Sequence, residues 1–275
     1  NITLLTWSEV IKVDGYVGSF SATVKKKARY VNTETCTGCG ICWEKCPKKV
    51  LDEVYEVGMG NRKAVYTSFP QAVPKYPVID APNCTYFIKG TCKACEKFCP
   101  TGAIDFEQKD EDITIQVGNI ILATGYDLFD AKRIPQYGYG RLENIYTSLE
   151  FERLSNAAGP TGGNILLRDG KTVPKAVGIV HCVGSRDQNY NQYCSSICCM
   201  QSLKFAHIVH ERTGAEVYNL YIDIRTPSKG YEEFYNRLLE EGTNFIRGKV
   251  AEISSVARVP EEQGKLVVQV EDTLI

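Results

Sequence analysis

Alternating apolar and polar residues lie on both sides of a cysteine-rich middle part of the chain. A period of two residues predicts β-strands that are buried on one face only. In residues 1–31 and beyond the cysteines, strands are predicted at residues 4–6, 10–13, 19–24 and 112–117, with a turn at 15–18. The lysine run at residues 25–27 then predicts a solvated edge strand. The chain is therefore expected to start as β-structure and to return to it after the cysteines.

The C-terminal half alternates between apolar runs and amphipathic segments. Buried strands are predicted at residues 120–125 and 176–182, further strands at 216–224, 244–253 and 266–270, and helices at 147–156, from Cys198–Cys199 to about 212, and at 231–241. Ser148 is suited to cap the first helix, because its hydroxyl can accept a hydrogen bond from a free backbone N–H. Strands that alternate with helices predict a parallel sheet.

Eight of the twelve cysteines form two runs in the middle of the chain. The first run, residues 36–47, has the pattern C-x2-C-x2-C-x3-C-P, and the second, residues 84–100, ends in the same way. This pattern is typical of bacterial ferredoxins with two [4Fe–4S] clusters, in which the fourth cysteine of a run binds the other cluster. The predicted ligands are Cys36, Cys39, Cys42 and Cys99 for one cluster, and Cys46, Cys84, Cys92 and Cys95 for the second.

Two zinc sites or a set of disulfides are the alternatives for these cysteines. Zinc sites usually contain paired C-x2-C units and not a triple that is followed by C-P. Disulfides need an oxidising compartment, and the sequence shows no secretory signal. A short helical turn is expected after each C-P motif, and the four prolines within residues 66–82 predict an extended loop.

Composition narrows the class of protein further. The 275 residues carry a net charge of −1 and are 43% hydrophobic, which suits one large domain or two ordinary ones. This charge argues against nucleic-acid binding and against a polybasic contact with a membrane. No apolar run has the length of a membrane span, and a cytoplasmic protein is expected. Because the sequence starts at Asn1 and not at Met, we expect part of a longer protein.

Four further cysteines surround a predicted strand-to-helix junction. Cys182 ends a strand, Cys194 follows in a loop, and Cys198 and Cys199 begin a helix whose N-terminus would stabilise thiolates. We predict a third [4Fe–4S] cluster at this junction; buried structural cysteines and a redox dithiol are the alternatives. The glycine fingerprint G-x-G-x-x-G is missing there, so NAD(P)H binding is not expected.

Several of these features together resemble the HdrA subunit of heterodisulfide reductases and its HdrA-like relatives. The segment Ala123-Thr124-Gly125 resembles the strand that closes the FAD domain in flavoproteins with two dinucleotide-binding domains, the thioredoxin-reductase class. The resemblance also rests on residues 15–18, the two ferredoxin-type runs, residues 183–187 and the helix that begins near Cys194, Cys198 and Cys199. It covers essentially the whole chain, whereas full-length members of the family are longer.

The resemblance implies an α/β fold, namely a portion of a thioredoxin-reductase-like flavoprotein into which a bacterial 2[4Fe–4S] ferredoxin domain is inserted. Residues 1–31 and 107–175 would belong to the FAD-side domain, and residues 32–106 would form the insert. Residues 176–275 would form a Rossmann-like domain in which cysteines replace the phosphate loop. FAD would lie near residues 123–125.

The resemblance also implies a function. The positions that match flavin-approaching residues of the family are Lys204 and Glu150, although a solvated charge on a helix is the alternative for each. The implied function is electron transfer between FAD and [4Fe–4S] clusters, in some members with electron bifurcation between ferredoxin and a disulfide of the CoM-S-S-CoB type. Implied partners are HdrB- or HdrC-like subunits, hydrogenase- or dehydrogenase-type electron donors, and ferredoxin. A flavin-free polyferredoxin-like carrier and a scaffold stabilised by its clusters are the alternatives.

Overall fold

The computed structural model describes residues 2–274 and shows a mixed α/β chain that divides after Tyr126 into two compact units. Asn1 and Ile275, the outermost residues of the predicted terminal domains, lie outside the described part. None of the helices in the described part combines the length and the apolar character that crossing a membrane requires.

The first two strands and the last strand of the N-terminal unit form one antiparallel sheet. The elements of this unit are β1 (Ser8–Tyr16), β2 (Ser19–Lys26), α1 (Ile41–Lys45), β3 (Lys49–Leu51), β4 (Asn61–Lys63), β5 (Val65–Tyr66), β6 (Val78–Ile79), α2 (Thr85–Lys89), α3 (Ala94–Lys97) and β7 (Glu111–Val117). The sheet has the order β1-β2-β7, so it joins chain from before and after the cysteine-rich part. The strands predicted from alternation at residues 10–13, 19–24 and 112–117 are confirmed.

Three local predictions are wrong in the part of this unit that precedes β7. Residues 4–6 form no strand, and the left-handed backbone of Trp7, with a φ of 57°, separates them from β1. The lysine run is not at an edge, because β2 is the central strand; Lys26 pairs with Glu111 of β7 and Lys27 with Glu9 of β1. Helical turns were predicted after the C-P motifs, but the short helices α1 and α3 precede them. A proline disfavours helical backbone at the residue before it, so each helix ends before its motif.

The cysteine-rich part packs around an apolar core of its own. Val31 and Ile104 form an antiparallel bridge between the chain that enters this part and the chain that leaves it. Two small antiparallel pairs, β3–β4 and β5–β6, complete it, and Val65 and Ile79 are buried between them and the cysteines. The same core includes cysteines of both runs, so the apolar packing fixes where the thiols lie.

The segment 120–125, which was predicted as a buried strand, is exposed and forms no strand. Ile121 and Leu122 expose 92% and 84% of their surface. A strand requires a neighbour that pairs with its N–H and C=O groups, and no strand within residues 2–274 lies against this segment. The apolar side chains of this segment are not covered by other residues of the described part of the chain.

A parallel sheet organises the C-terminal unit. Its elements are α4 (Ser148–Ser155), β8 (Ala176–Val180), α5 (Cys198–Thr213), β9 (Glu216–Tyr221), α6 (Tyr231–Glu240), β10 (Asn244–Arg247), β11 (Val250–Ser254) and β12 (Val267–Val270). The sheet has the order β10-β9-β8 with parallel pairing, which confirms the prediction from alternating strands and helices. Leu203 of α5 and Leu238 of α6 are fully buried in the core with Val217 of β9.

Tertiary packing changes three details of this unit. Strand β8 is only half-buried, because it lies at the edge of the sheet. The strand predicted at residues 244–253 breaks at Gly248 into β10 and β11, which belong to different sheets; a Cβ at Gly248 would lie 2.0 Å from the Glu271 carbonyl oxygen. Helix α4 is capped by Thr147 and not by Ser148, because the Thr147 hydroxyl accepts a hydrogen bond from the Glu150 N–H over 3.3 Å.

Candidate iron–sulfur centres

Four cysteines from both runs line a common space in the N-terminal unit. Chamber I is the space of about 330 Å³, partly open to solvent, that is lined by Cys36, Cys39, Cys42 and Cys99. The loop that carries the first cysteines bends at Gly38 and Gly40, whose φ angles are 68° and 93°. A Cβ on Gly40 would lie 2.6 Å from the ring of Trp43, so this turn requires glycine.

Backbone N–H groups point at sulfurs of chamber I. The Gly38 N–H donates to Cys36 Sγ over 3.4 Å, and the Ala103 N–H donates to Cys99 Sγ over 3.2 Å. Burial raises the pKa of Cys99, but hydrogen bonds, led by the one from Ala103, outweigh burial and leave this pKa below its ordinary value. Burial raises the pKa of the Cys42 thiol to about 12. Chamber I thus combines a buried cysteine, Cys42, with backbone N–H donors that stabilise thiolates.

The other four cysteines line a second space of similar size. Chamber II has a volume of about 320 Å³, partly open to solvent, and is lined by Cys46, Cys84, Cys92 and Cys95. Cys84 immediately precedes α2, and Cys92 lies before α3 with a left-handed φ of 86°. Burial raises the pKa of Cys95, which lies on α3, to about 11. The long separation between Cys84 and Cys92 is spanned by α2, which returns the chain to the chamber.

The last cysteine of each run lines the chamber to which the other run contributes three cysteines. Cys46 follows α1 and faces chamber II, whereas Cys99 follows α3 and faces chamber I. Within residues 2–274, no group of three or more His, Cys, Asp or Glu side chains is arranged to hold a single metal ion. Each chamber is lined by three cysteines of one run and by the last cysteine of the other run.

The third cysteine group comprises Cys182, Cys194, Cys198 and Cys199, and the C-terminal unit brings these residues together. Cys182 follows β8 with a left-handed φ of 56°, and Cys198 and Cys199 occupy the first turn of α5. The Ser196 N–H donates to Cys194 Sγ and the Arg225 N–H donates to Cys199 Sγ, each over 3.4 Å. The junction between strand and helix thus gathers the thiols that are far apart in the sequence.

Three of these thiols interact with one another. Hydrogen bonding with Cys182 and Cys199 holds the pKa of Cys198 far below its ordinary value. Those bonds and burial raise the pKa of Cys182 and of Cys199. A metal centre that binds here would displace the remaining protons, because thiolates and not thiols are metal ligands.

Lys204 and Glu150 lie in different environments. The exposed Lys204 donates through Nζ to both carboxylate oxygens of Glu152, over 2.9 Å and 3.1 Å. Glu150 is 7% exposed, and its carboxylate accepts hydrogen bonds from the Thr147 N–H over 2.6 Å and from Arg168 over 3.4 Å. A solvated charge therefore describes Lys204 but not Glu150, which is part of the cap of α4.

The predicted flavin-contacting segment, residues 123–125, is exposed on the N-terminal unit. Gly125 has a left-handed φ of 78°, which a residue with a side chain would rarely adopt. The segment directly precedes Tyr126, the last residue of that unit. Its backbone is thus open to solvent at the position where the resemblance implies FAD.

Sequence reasoning missed two arginines that lie beside cysteines. Arg29 is buried, and Cys36 is the largest of the charged groups that act on it. Arg186 donates to Asp223 over 2.7 Å and also lies close to Cys182. Neither arginine is part of a cysteine motif, and nearness in sequence to a cysteine was the one signal that could have found them.

Comparisons with known proteins show which proteins this chain is similar to. The 4Fe-4S binding domain family matches residues 29–52. The chain is 47% identical, over its whole length, to the HdrA iron-sulfur protein of the CoB-CoM heterodisulfide reductase of Methanocaldococcus jannaschii. It is 44% identical to HdrA of the H(2):CoB-CoM heterodisulfide,ferredoxin reductase of Methanothermobacter marburgensis. It is 43% identical to HdrA of the Ferredoxin/F(420)H(2)-dependent CoB-CoM heterodisulfide reductase of Methanosarcina acetivorans.

The chain spans 41%, 40% and 34% of the length of these three relatives, respectively. A 4Fe-4S binding domain within a mixed α/β chain defines its class, that of the iron–sulfur proteins. The identity with HdrA of heterodisulfide reductases extends along the entire chain, so the relationship can be given more narrowly. The chain is a homologue, over its whole length, of a part of HdrA.

Proposed function

We propose that this chain transfers electrons between FAD and [4Fe–4S] clusters within an HdrA-like oxidoreductase complex. The observation that carries the proposal is the crossed arrangement of eight cysteines, four lining each of the two chambers. When bound, [4Fe–4S] clusters supply redox chemistry at potentials that are set by charge, hydrogen bonds and exposure. The chain's own contribution is to hold, orient and partly dehydrate them.

The residues of each chamber fit a cluster that is bound by four thiolates. In the proposed assignment, one cluster is held by Cys36, Cys39, Cys42 and Cys99, and the other by Cys46, Cys84, Cys92 and Cys95. The N–H groups of Gly38 and Ala103, which donate to sulfurs of chamber I, would orient and stabilise the ligands there. The buried Cys42 and Cys95 would limit the access of water.

A third cluster is assigned to Cys182, Cys194, Cys198 and Cys199, close to FAD. The order β10-β9-β8 supports a Rossmann-like half, because parallel strands in the order 3-2-1 are typical of dinucleotide-binding domains. In the proposed two-dinucleotide-domain arrangement, the domains are residues 1–31 with 107–175, the insert 32–106, and residues 176–275. FAD would lie near residues 123–125 and Lys204, whose positive charge would favour a reduced, anionic flavin; Glu150 would support this site.

The proposed complex contains HdrB- or HdrC-like subunits, a hydrogenase- or dehydrogenase-type electron donor, and ferredoxin. Its overall reaction would deliver electrons to a disulfide of the CoM-S-S-CoB type, with bifurcation at the flavin. The names of the three relatives refer to this heterodisulfide, and two of them also name ferredoxin. A reducing, cytoplasmic setting is consistent with twelve cysteines that form no disulfide with one another.

Metal and flavin content of the full-length protein test the proposal. Iron and sulfide for at least two [4Fe–4S] clusters, together with bound FAD and clusters that accept electrons in a redox titration, are expected. Clusters without flavin would instead identify a polyferredoxin-like carrier. Clusters that do not change oxidation state between the potentials of ferredoxin and of the disulfide would identify a scaffold. Zinc in place of iron would refute all three interpretations.

NADH and NADPH are expected not to reduce the flavin of the full-length protein in the absence of partner subunits. The physical reason is that β8 leads to Cys182 and its loop and not to a glycine fingerprint, so a pyrophosphate cannot approach the start of α5 closely. Anaerobic flavin absorbance measures the reaction, and dithionite serves as the positive control. Rapid bleaching by either nucleotide would contradict this prediction.

A further inference from the structure

We propose that Arg29 makes the cluster in chamber I the stronger electron acceptor of the two clusters in the N-terminal unit. The inference rests on the proposed function, since it requires [4Fe–4S] clusters in both chambers. A single electron would pass from the reduced cluster of chamber II to the oxidised cluster of chamber I. The first is oxidised and the second is reduced, with no bond broken and no proton transferred.

The positive charge of Arg29 is buried among neutral partners. The side chain is 8% exposed. Its Nη1 donates to the Tyr76 carbonyl oxygen over 3.0 Å, and its Nη2 donates to Thr6 Oγ1 over 2.7 Å. These bonds orient the guanidinium but do not neutralise it. Arg29 lies beside chamber I, because the Tyr76 carbonyl oxygen that it binds is followed directly by Pro77, which lines the chamber. Val31, two residues after Arg29, lines it as well.

A buried cation of this kind is costly unless a negative charge lies nearby. A [4Fe–4S] cluster with four thiolate ligands is anionic, and reduction adds a further negative charge. Because charge interactions are strong in a partly dehydrated interior, Arg29 stabilises the reduced state of a cluster in chamber I more than its oxidised state. Net charge around the cluster is one of the factors that set its potential.

The cations around chamber II are placed differently. Lys48 and Lys93 line this chamber, but both are exposed to water, and Lys93 pairs with Glu96 over 3.2 Å. Exposed charges are screened by water and salt, so they affect a cluster less than a buried charge does. The nearest equivalent of Arg29 is the half-buried Lys63, whose Nζ donates to the Cys46 carbonyl oxygen over 2.7 Å.

Hydrogen bonds to sulfur favour chamber I as well. Donation from Gly38 and Ala103 reaches two of its sulfurs, and such bonds raise the potential of a cluster by stabilising negative charge on sulfur. In chamber II, backbone hydrogen bonds, chiefly from Glu96, reach the Cys95 sulfur. The Cys46 thiol, in contrast, lies 3.8 Å from the Lys48 carbonyl oxygen and acts as the donor. Once ionised, this sulfur faces an oxygen lone pair. Both effects therefore act in the same direction as the charge of Arg29.

The test compares variants of the full-length, cluster-loaded protein by redox titration followed by electron paramagnetic resonance (EPR). In Arg29→Gln, the equilibrium preference of the electron for chamber I is expected to fall about tenfold, which lowers one midpoint potential by about 59 mV. Arg29→Lys keeps the charge and should retain most of the preference. Lys75→Gln removes an exposed cation close to chamber I and should change neither potential. Lys63→Gln should lower the other potential, which assigns that signal to chamber II.

A further variant tests the same role of Arg29 if Arg29→Gln does not fold. Thr6→Asp places a carboxylate beside the intact guanidinium, so it should lower the same potential without removing the arginine. Iron content is measured in every variant. If both clusters are present and both potentials stay unchanged in Arg29→Gln or, should that variant not fold, in Thr6→Asp, the role of Arg29 is refuted. If the unmodified protein lacks the two clusters, the proposed function itself is refuted.

Discussion

Replacing Cys42 by serine is expected to remove the cluster of chamber I and to leave the cluster of chamber II in place. Cys42 is buried at the wall of chamber I, and a serine hydroxyl is a much poorer ligand for iron than a thiolate. The iron content of the full-length protein should fall by about four atoms per chain. One of the two EPR signals of the N-terminal unit should disappear. Thr35→Ser, at an exposed position in the same loop, is the matched control.

The same experiment tests the crossed arrangement. Cys99→Ser should remove the same signal as Cys42→Ser, although Cys99 belongs to the other cysteine run. Cys46→Ser and Cys95→Ser, made separately, should each remove the signal of chamber II. If Cys42→Ser and Cys46→Ser remove one common signal, each run binds its own cluster and the crossed assignment is wrong.

Replacing Cys199 by serine is expected to abolish a third EPR signal and to slow electron exchange between FAD and the clusters. Cys199 is buried at the start of α5, where the Arg225 N–H donates to its sulfur over 3.4 Å. Neighbouring residues of a helix point about a hundred degrees apart, so both can bind one cluster only if it lies over the end of the helix. Cys198 interacts with both Cys182 and Cys199. The clusters of both chambers should remain.

Cys198→Ser is the companion variant, and it should lose the same signal. Ser202→Ala, on the same helix, is the control, because Ser202 is buried but is not part of the cysteine group. Rates of exchange are measured by stopped-flow absorbance at the flavin band. If all three signals and the exchange rate survive in both cysteine variants, these residues are structural. A disulfide that forms reversibly between them, without a third signal, would identify a redox dithiol.

The sequence by itself determined the candidate chemistry of the N-terminal unit and most of its strands. The spacing of Cys36, Cys39 and Cys42 forces three thiols onto one short loop, so their convergence is a local property. The exchange of Cys46 and Cys99 follows from the same motif, since each lies just beyond a short helix. Alternation likewise located β2 and β7, because a period of two residues is also local.

Tertiary structure decided what depends on neighbours that are distant in sequence. Burial of residues 120–125 requires a pairing strand, and β8 is half-buried because it has a neighbour on one side only. Arg29 acts near chamber I because the fold buries it among Tyr76, Thr6 and Cys36. Three-dimensional packing determines which charges surround a site, whereas a local sequence motif specifies its ligands.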